Sequence, residues 1–432
     1  MKYQNERKRQ KRLLFIAHSF PPYRGIAAVR LGCIAKYLAR LGWGVTVMAL
    51  HPHDHSRQGE ELRDTRTIES NWRECGVELI WVRQAPYLTR PANNLWRRVR
   101  VRWEWEKAKI CGAWRLAPWS RRVLACSKQV DFSKVDVILA SGDPFEQFAL
   151  ARRLGNEHNR PYVFDYRDLW LDGLGWSNSG QVNERIISWQ RDLLASVSAV
   201  SVVSPSMAEF MEKRFRVGTR LHVISNGYDP SDLDGIEPRT FGHFAIVYAG
   251  HFLPPKRTAN PLMQALRRLA EIEPQRLWRF HYYGPNGAHV LESATSYGVE
   301  QRVELHGVVS RRECLSAIRG AGVATIVVSV HDTGDLSDHG IITGKIFEPI
   351  GLGTPILVIA SRGADVETLV QTVGNGAVFT GSNADGIAMF CADLMRGKGG
   401  ESRRPEAYSW PALIRRFDEM LSQAISHHRS LI

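Results

Sequence analysis

The chain has 432 residues, of which 44% are apolar and 23% are charged, and its formal net charge is +13. Because this length exceeds one ordinary hydrophobic core, it predicts two domains and excludes a single small binding module. The composition excludes a disordered or fibrous protein. The positive charge favours an anionic partner, and nucleic acid, an acidic membrane leaflet and a phosphorylated substrate all fit.

We predict no targeting signal from the sequence. Residues 1–12 are basic and lead straight into a short apolar run, so no signal peptide is predicted. No apolar run approaches the roughly 18 residues of a membrane-spanning helix. The six cysteines lack the paired spacing of a zinc site, and we expect them to be reduced. These features predict a cytoplasmic protein whose membrane contact is peripheral.

The first 50 residues have the pattern of a βαβ unit. Leu13–Ala17 is a continuous apolar run, typical of a strand that is buried on both faces. Apolar residues then recur every four residues from Val29 to Leu41, which predicts a helix that ends at Gly42. The next strand is predicted at Val45–Leu50. Such units build parallel sheets.

Further apolar runs repeat this alternation in two series. The strands predicted in the first series are residues 77–82, 135–140, 162–164 and 197–203, and those in the second are residues 244–249, 279–283, 303–305, 323–328 and 356–359. The stretch 226–242 between the series is rich in Gly, Pro and Asp and is predicted to contain the boundary. The fold class is therefore α/β, with two Rossmann-like, doubly wound parallel-sheet domains facing a cleft.

We assign residues 1–228 to the first domain and residues 240–408 to the second. Residues 409–432 carry apolar side chains at helical spacing and predict a C-terminal helix.

A basic, tryptophan-rich segment, residues 89–128, interrupts the alternation and is predicted to be an insertion in the first domain. It interleaves lysines and arginines with Trp96, Trp103, Trp105, Trp114 and Trp119. This pattern favours a helix lying on an anionic membrane surface. The alternative is a helical insertion packed on the first domain with solvated cations. No nucleic-acid recognition motif accompanies the charge, so nucleic acid is not a predicted partner.

The first βα loop contains one glycine, Gly25, where a dinucleotide fingerprint needs three, which argues against a dehydrogenase. Gly25 allows a ligand to approach backbone N–H groups, although a simple turn also requires glycine.

In the second domain Gly250, Lys256 and Arg257 follow a predicted strand. Their position suits a diphosphate, and a solvated loop is the alternative. Gly284 follows the next strand.

The loop after the following strand contains Gly307 and Val308, whose backbone could contact a base.

The densest motif spans residues 331–358. Thr343 and Gly344 lead into a predicted helix on which Lys345 and Glu348 are three residues apart and share one face. The N-terminal end of a helix favours the binding of phosphate, and a carboxylate there can accept hydrogen bonds from both hydroxyl groups of a ribose. The alternative is a surface ion pair, worth only about 0.3–0.5 kcal/mol.

The order of these motifs over nearly the whole chain resembles the GT-B-fold glycosyltransferases of family 4, a retaining and metal-independent class. The segments that carry the resemblance are FIAHSFPPYRGIAAVRL from residue 15, VFDYRDLW from 163, VISNGYDP from 223, YAGHF from 248, YYGPNG from 282, VELHGVVSRRE from 303 and TGKIFEPIGLGTPIL from 343. The resemblance implies that the C-terminal helix crosses back to the first domain.

The resemblance also implies a donor site on the second domain. Glu348 matches the family's ribose-binding glutamate, whereas Gly340 stands where the first glutamate of the usual pair would be, as in a subgroup with a K-x-x-E segment. His251 replaces a family arginine. The implied donor-binding residues are Gly25, Gly250, His251, Gly284, Val308, Thr343, Gly344, Lys345 and Glu348.

The implied catalytic residues are Asp143, Arg167 and Asp168 on the first domain and Lys256 and Arg257 on the second. Lys256, Arg257 and Lys345 would neutralise the diphosphate. For the first-domain group the alternatives are that Asp165 caps a helix and that Arg167 and Asp168 form an internal salt bridge. His18 in the first loop is a further polar candidate.

The predicted function is retaining transfer of a sugar from a nucleotide-diphosphate sugar to a saccharide or lipid-linked acceptor, in the synthesis of cell-surface polysaccharide, lipopolysaccharide or glycolipid. No cofactor and no metal are expected. The predicted location is the inner face of the cell membrane, contacted through residues 89–128. Two alternatives remain: a GT-B-fold sugar-nucleotide epimerase, and a non-catalytic protein that binds a membrane or a partner.

Overall fold

A computed structural model describes most of the chain. The described residues are 9–23, 25–54, 64–85, 94–96, 98–100, 102–103, 118–170, 184–332, 339–398 and 404–431. They form two compact units. The first unit runs to Val203 and includes Ala208–Ile224 and the chain from Ile414 onward; the second unit comprises Ser204–Met207 and Ser225–Leu413.

The first unit contains a parallel sheet of seven described strands in the order β3-β2-β1-β4-β5-β6-β7. These strands are β1 (Arg12–Ile16), β2 (Gly44–Leu50), β3 (Val77–Val82), β4 (Val137–Gly142), β5 (Tyr162–Tyr166), β6 (Ala199–Val202) and β7 (Leu221–Val223). Phe15 in β1 lies opposite Val47 and Leu139, and all three are fully buried. Burial on both faces explains the continuous apolar run in the sequence.

Helices cover this sheet. They are α1 (Ile26–Arg40), α2 (Thr65–Glu74), α3 (Pro118–Cys126), α4 (Glu146–His158), α5 (Glu184–Ala195) and α6 (Pro205–Phe215), of which α6 begins in the second unit.

The second unit contains a parallel sheet of six described strands in the order β10-β9-β8-β11-β12-β13. These strands are β8 (Phe244–Ala249), β9 (Trp278–Tyr283), β10 (Val303–Gly307), β11 (Val323–Val327), β12 (Ile356–Ile359) and β13 (Gly376–Phe379). Its helices are α7 (Pro230–Leu233), α8 (Asn260–Ile272), α9 (Gly287–Ser296), α10 (Arg311–Gly320), α11 (Phe347–Leu352), α12 (Asp365–Val373) and α13 (Ala384–Met395). Separate clusters of buried apolar residues pack on its two faces.

The last helix, α14 (Trp410–Ser430), begins in the second unit and continues in the first. Phe417, Met420 and Leu421 on this helix are fully buried. Its Asp418 accepts hydrogen bonds from Lys11 at 3.2 Å and from the indole N–H of Trp43 at 2.9 Å. None of the described helices is both long enough and apolar enough to cross a membrane.

The prediction of two parallel-sheet α/β domains is confirmed. In each sheet the strand order reverses between two neighbouring strands, β1 and β4 in the first unit and β8 and β11 in the second. Ligands of doubly wound sheets bind beside the carboxyl ends of the strands at this point of reversal. We therefore expect residues that contact a ligand to lie close in the chain to the ends of these four strands.

Candidate functional site

Gly250 directly follows β8, at the point of reversal of the second sheet, and Lys345 lies against it. The φ angle of Gly250 is +143°, which side-chain-bearing residues rarely adopt, and a Cβ added there would overlap Lys345 Nζ. The ammonium group also lies 5.9 Å from the centroid of the Tyr248 ring. The backbone conformation at position 250 thus favours glycine, and the absence of a side chain leaves room for the end of the lysine.

Arg257 belongs to the same strand ends. Its Nε donates a hydrogen bond to the carbonyl oxygen of Val328, just beyond β11, at 3.1 Å. Burial and the positive charge of Arg257 together lower the pKa of Lys345 to about 8, whereas Glu348 opposes the shift. Among the described residues, no carboxylate forms an ion pair with Lys345 or Arg257. Two cations beside a strand end have the charge that would suit an anion.

Lys345 does not lie on an α-helix, so this part of the sequence prediction is wrong. Gly344–Ile346 forms a single 3₁₀ turn that starts after Thr343, and α11 follows it with only six residues. The tight turn buries Gly344 and Ile346. A turn of this kind cannot be distinguished by sequence from the first turn of an α-helix, since both place residues three apart on the same side.

Glu348 forms an ion pair, but its partner is Arg311 on α10 rather than Lys345. Arg311 Nη1 donates to the Glu348 carboxylate at 2.5 Å, and Nη2 donates to Asp232 at 3.3 Å. Burial opposes the charge of Arg311, yet the two carboxylates raise its pKa. The Glu348 side chain keeps 21% of its surface exposed. The arginine holds one oxygen and orients the carboxylate, and Arg311 is a site residue that sequence reasoning missed.

The remaining second-unit candidates lie at the same edge of the sheet with different surroundings. A Cβ at Gly284 would overlap the carbonyl oxygen of Gly250, so this glycine permits the ends of β8 and β9 to pack. The Lys256 carbonyl accepts from Val330 N–H at 2.8 Å. The carbonyl of His251 accepts from the Tyr248 hydroxyl at 3.1 Å, and its side chain is exposed. Val308 is 78% exposed, directly after the left-handed Gly307.

In the first unit, Arg167 lies between the ends of β4 and β5. Its Nε donates to the Ser141 hydroxyl at 3.2 Å and its Nη2 donates to the carbonyl of Asp143 at 2.5 Å. Burial lowers the pKa of Arg167, and the carboxylates of Asp168, Asp165 and Asp143 oppose that shift. Asp168 itself is exposed. The structure therefore brings Arg167 and the backbone of Asp143 together.

Asp165 does not cap a helix, because it lies inside β5 and is fully buried. It accepts two hydrogen bonds from the equally buried Arg30, at 2.7 and 3.1 Å, and one from the hydroxyl of each of Ser141 and Ser201, both at 2.7 Å. Burial opposes ionisation, but Arg30 and the hydroxyls hold the pKa of Asp165 low. This network is structural, and through Ser141 it reaches Arg167.

Glu146, in the first turn of α4, is a second residue that sequence reasoning missed. Burial, together with the nearby Asp143 carboxylate, raises its pKa to about 7. His18 and Gly25 lie in the loop after β1. The backbone N–H of His18 donates to Gln147 Oε1 at 3.1 Å, and Gly25 precedes α1 where a Cβ would come within 2.6 Å of the Tyr23 ring. Gly25 thus has a packing reason to be glycine.

Comparison with known proteins agrees with this architecture. Residues 25–227 match the family model described as a glycosyl transferase 4-like domain. No curated protein matches the sequence. Among solved structures, sucrose-phosphate synthase from Thermosynechococcus elongatus superposes with a TM-score of 0.65 at 14% identity, over 97% of this chain and 100% of that one.

Two other solved structures share the fold. The apo form of the lipopolysaccharide outer core galactosyltransferase WaaB has a TM-score of 0.53 at 12% identity, over 96% of this chain and 98% of that one. A provisionally assigned UDP-N-acetylglucosamine 2-epimerase from Listeria monocytogenes has a TM-score of 0.52 at 13% identity, over 97% of both chains. At these identities the likeness shows the fold alone. The family match thus covers residues 25–227, and the solved structures show the fold of the chain as a whole.

Proposed function

We propose that this chain is a retaining glycosyltransferase that takes a sugar from a nucleotide-diphosphate donor bound on the second unit. The observation that carries the proposal is the pair of cations, Lys345 and Arg257, at the end of β8 beside Gly250. A lysine that is partly removed from water and forms no ion pair with a described carboxylate is costly unless an anion compensates it. The diphosphate of a nucleotide sugar is such an anion.

Lys345 and Arg257 would stabilise the departing diphosphate, which gains negative charge as the glycosidic bond breaks. Positive groups that are fixed before the reaction need no reorganisation, and removing one such group typically costs about 10²–10³-fold in rate. In the proposed front-face reaction the leaving oxygen accepts the proton of the acceptor hydroxyl. Protein cations would supply the charge stabilisation that a divalent ion supplies in other transferases, so we propose that transfer needs no metal and no cofactor.

Glu348 would bind the donor ribose. Arg311 occupies one of its oxygens and leaves the carboxylate partly exposed, so the other oxygen can accept from ribose hydroxyl groups. On the first unit, Arg167, Asp143 and Asp168 lie at the strand ends where an acceptor would bind, and Glu146 is close to them in the chain. We propose a saccharide or lipid-linked acceptor of the cell surface.

The structure describes part of residues 89–128, and that part limits which of its tryptophans could contact a membrane. Trp119 is 2% exposed and its indole N–H donates to the carbonyl of Val82 at 3.2 Å, so this tryptophan is a core residue and not an interfacial one. Leu95, Trp96, Val99 and Trp103 are 54–78% exposed. Leu95 and Trp96 are adjacent, and Val99 and Trp103 follow Trp96 at steps of three and four residues. The same stretch of sequence contains Arg98, Arg100 and Arg102. Trp105 and Trp114 lie outside the described residues.

We therefore propose that residues 94–103 place the enzyme on the anionic cytoplasmic face of the membrane, with indole rings at the headgroup level.

The experiment that tests the function follows nucleotide sugars by NMR in the presence of a lipid-linked saccharide extract. Transfer predicts release of nucleoside diphosphate that depends on the extract, with the anomeric configuration retained in the product. Interconversion of two nucleotide sugars without release would support the epimerase alternative. If no nucleotide sugar is consumed, the enzymatic proposal fails.

A further inference from the structure

A cluster of three histidines and one glutamate lies on the second sheet, formed by residues that the sequence keeps far apart. His243 precedes β8, His281 is in β9, and Glu304 and His306 are on β10. The parallel pairing places His281 directly beside Glu304. His281 is 1% exposed, whereas Glu304 and His306 keep 35% and 17% of their side-chain surface. This group is called the histidine cluster below.

Three donor atoms of the histidine cluster form a compact triangle. His281 Nδ1 lies 3.0 Å from His306 Nε2 and 3.4 Å from Glu304 Oε2, and His306 Nε2 lies 3.9 Å from Glu304 Oε2. A point inside a triangle with these sides is about 2.0 Å from every corner, which is the length of a zinc–nitrogen or zinc–oxygen bond. The three atoms can therefore become ligands of one ion with little movement.

The surroundings hold these ligands in place. His281 Nε2 lies 2.8 Å from His243 Nε2, so an N–H on His281 Nε2 can donate to His243 and leave Nδ1 with its lone pair. Arg279 Nη1 lies 3.4 Å from the other oxygen of Glu304, and the Tyr283 ring stacks on His306 at 4.2 Å.

We propose that His281, His306 and Glu304 bind one divalent ion of the zinc class, with His243 as the residue that positions His281. Two imidazole nitrogens and one carboxylate oxygen suit Zn²⁺ better than Mg²⁺ or Ca²⁺, which prefer oxygen ligands. The site shares no residue with the cations proposed to bind the diphosphate, and the proposed transfer does not use it. Its ligands come from two neighbouring strands, so the ion links the edge strand β10 to β9.

Two other arrangements of the same cluster compete with this one. His243, His281 and Glu304 also offer ligand atoms within 4.8 Å of one another, which would make His243 a ligand and His306 a bystander. Alternatively, the three rings form only a chain of hydrogen bonds, since each contact needs a single proton. The triangle of known sides favours His306 as the third ligand, and substitutions at positions 243 and 306 separate the three arrangements.

The test uses the full chain stripped with a chelator and titrated with Zn²⁺ by calorimetry. We expect one ion per chain, an increase in Tm on adding Zn²⁺, and intense visible absorption when Co²⁺ replaces it. His306→Asn and Glu304→Gln, both at partly exposed positions, should abolish all three signals. His243→Ala should weaken Zn²⁺ binding by about 10–100-fold without abolishing it. His427→Ala, at an exposed position on α14, is the control for binding to surface histidines and should behave like the unmodified chain.

Circular dichroism in excess chelator shows whether each variant is folded. Equal Zn²⁺ affinity of His306→Asn and the unmodified chain would overturn the assignment. So would loss of binding in His427→Ala, or no binding by the unmodified chain. Because every readout is metal binding or stability, these outcomes do not depend on whether the chain transfers a sugar.

Discussion

The ammonium group of Lys345 occupies the space that a side chain at Gly250 would need. The two residues are 95 positions apart, and they meet where β8 ends. Gly250 thus permits a cation to lie at the point of reversal of the second sheet, which is where doubly wound sheets bind their ligands.

Gly250→Ala tests this relationship. The new Cβ would be strained at a φ of +143° and would displace Lys345, so we expect a stability loss of about 1–3 kcal/mol. Nucleoside diphosphate affinity should fall about tenfold or more, because a charge-assisted contact is lost. Chemical denaturation and calorimetry measure the two effects. Gly242→Ala is the matched control, since a Cβ there meets nothing within 4 Å; a similar affinity loss in both variants would contradict the account.

The pKa of about 8 for Lys345 predicts a pH dependence of donor binding. Above this pH the unliganded lysine is neutral, so binding an anion requires uptake of a proton and nucleoside diphosphate affinity should decline between pH 7 and pH 9.5. Lys345→Met should bind weakly at every pH and lose this dependence. The same shift has a stability consequence: between about pH 8 and the ordinary lysine pKa the unfolded chain binds more protons, so this group makes the unliganded protein more stable as pH rises.

Titration calorimetry in two buffers with different ionisation enthalpies would reveal the proton uptake directly. Lys398→Met, at an exposed lysine paired with Asp393, serves as the control. An affinity that is independent of pH in the unmodified chain would exclude Lys345 as the phosphate contact.

Glu348 is predicted to bind the ribose. The 2′-deoxy form of the nucleoside diphosphate should bind the unmodified chain about 10-fold or more weaker than the ribo form, as expected for a hydrogen bond to a charged group. In Glu348→Ala the two forms should bind equally weakly. Glu292→Ala, an exposed glutamate on α9, should retain the difference. If Glu348→Ala still discriminated between the two sugars, another residue would bind the ribose.

The raised pKa of Glu146 predicts a pH-dependent stability. A carboxyl group whose pKa rises to about 7 on folding contributes stability that is fully present below its ordinary pKa and is lost as pH rises through about 7. Glu146→Gln should therefore be more stable than the unmodified chain at pH 8, by about 3 kcal/mol at most, and should lose this advantage at pH 4.5. Urea denaturation at both pH values measures the change, with Glu157→Gln on the same helix as control. An equal effect at both pH values would contradict the predicted ionisation.

Membrane contact through residues 94–103 is testable without deleting the insertion, which would remove the buried Trp119. The double variant Trp96→Ser, Trp103→Ser should reduce sedimentation with phosphatidylglycerol vesicles about tenfold, because both indole rings are largely exposed. Leu277→Ser removes an equally exposed apolar side chain from the second unit and should have no effect. Equal sedimentation of all three proteins would argue against this surface.

Most strands could be predicted because their apolar runs are continuous. β8 and β12 have the predicted bounds, and each is mostly buried between two neighbouring strands. The two strands that were not predicted, β7 and β13, are short and only partly buried. These two segments, Leu221–Val223 and Gly376–Phe379, are strands because a neighbouring strand pairs with each of them. Such pairing leaves no periodic pattern in the segment's own sequence.

The candidate site was less predictable, because sequence patterns identify a residue and not its partner. The sequence pattern predicts that Lys345 and Glu348 act as a pair. In the structure Lys345 lies near Gly250 and Arg257, and Glu348 forms an ion pair with Arg311. Glu146 gave no sequence signal, since its raised pKa comes from burial. The histidine cluster likewise depends on strand pairing, so spacing alone could not reveal it.

The proposed diphosphate-binding site on the second unit depends on Lys345, which lies against Gly250. Its most direct test is thermal denaturation of the unmodified chain and of Lys345→Met with UDP, GDP, ADP and TDP, each compared with the corresponding nucleoside. We predict that one diphosphate raises the Tm of the unmodified chain, that its nucleoside does not, and that Lys345→Met loses the increase. No increase with any diphosphate, or an increase that Lys345→Met retains, would contradict the account.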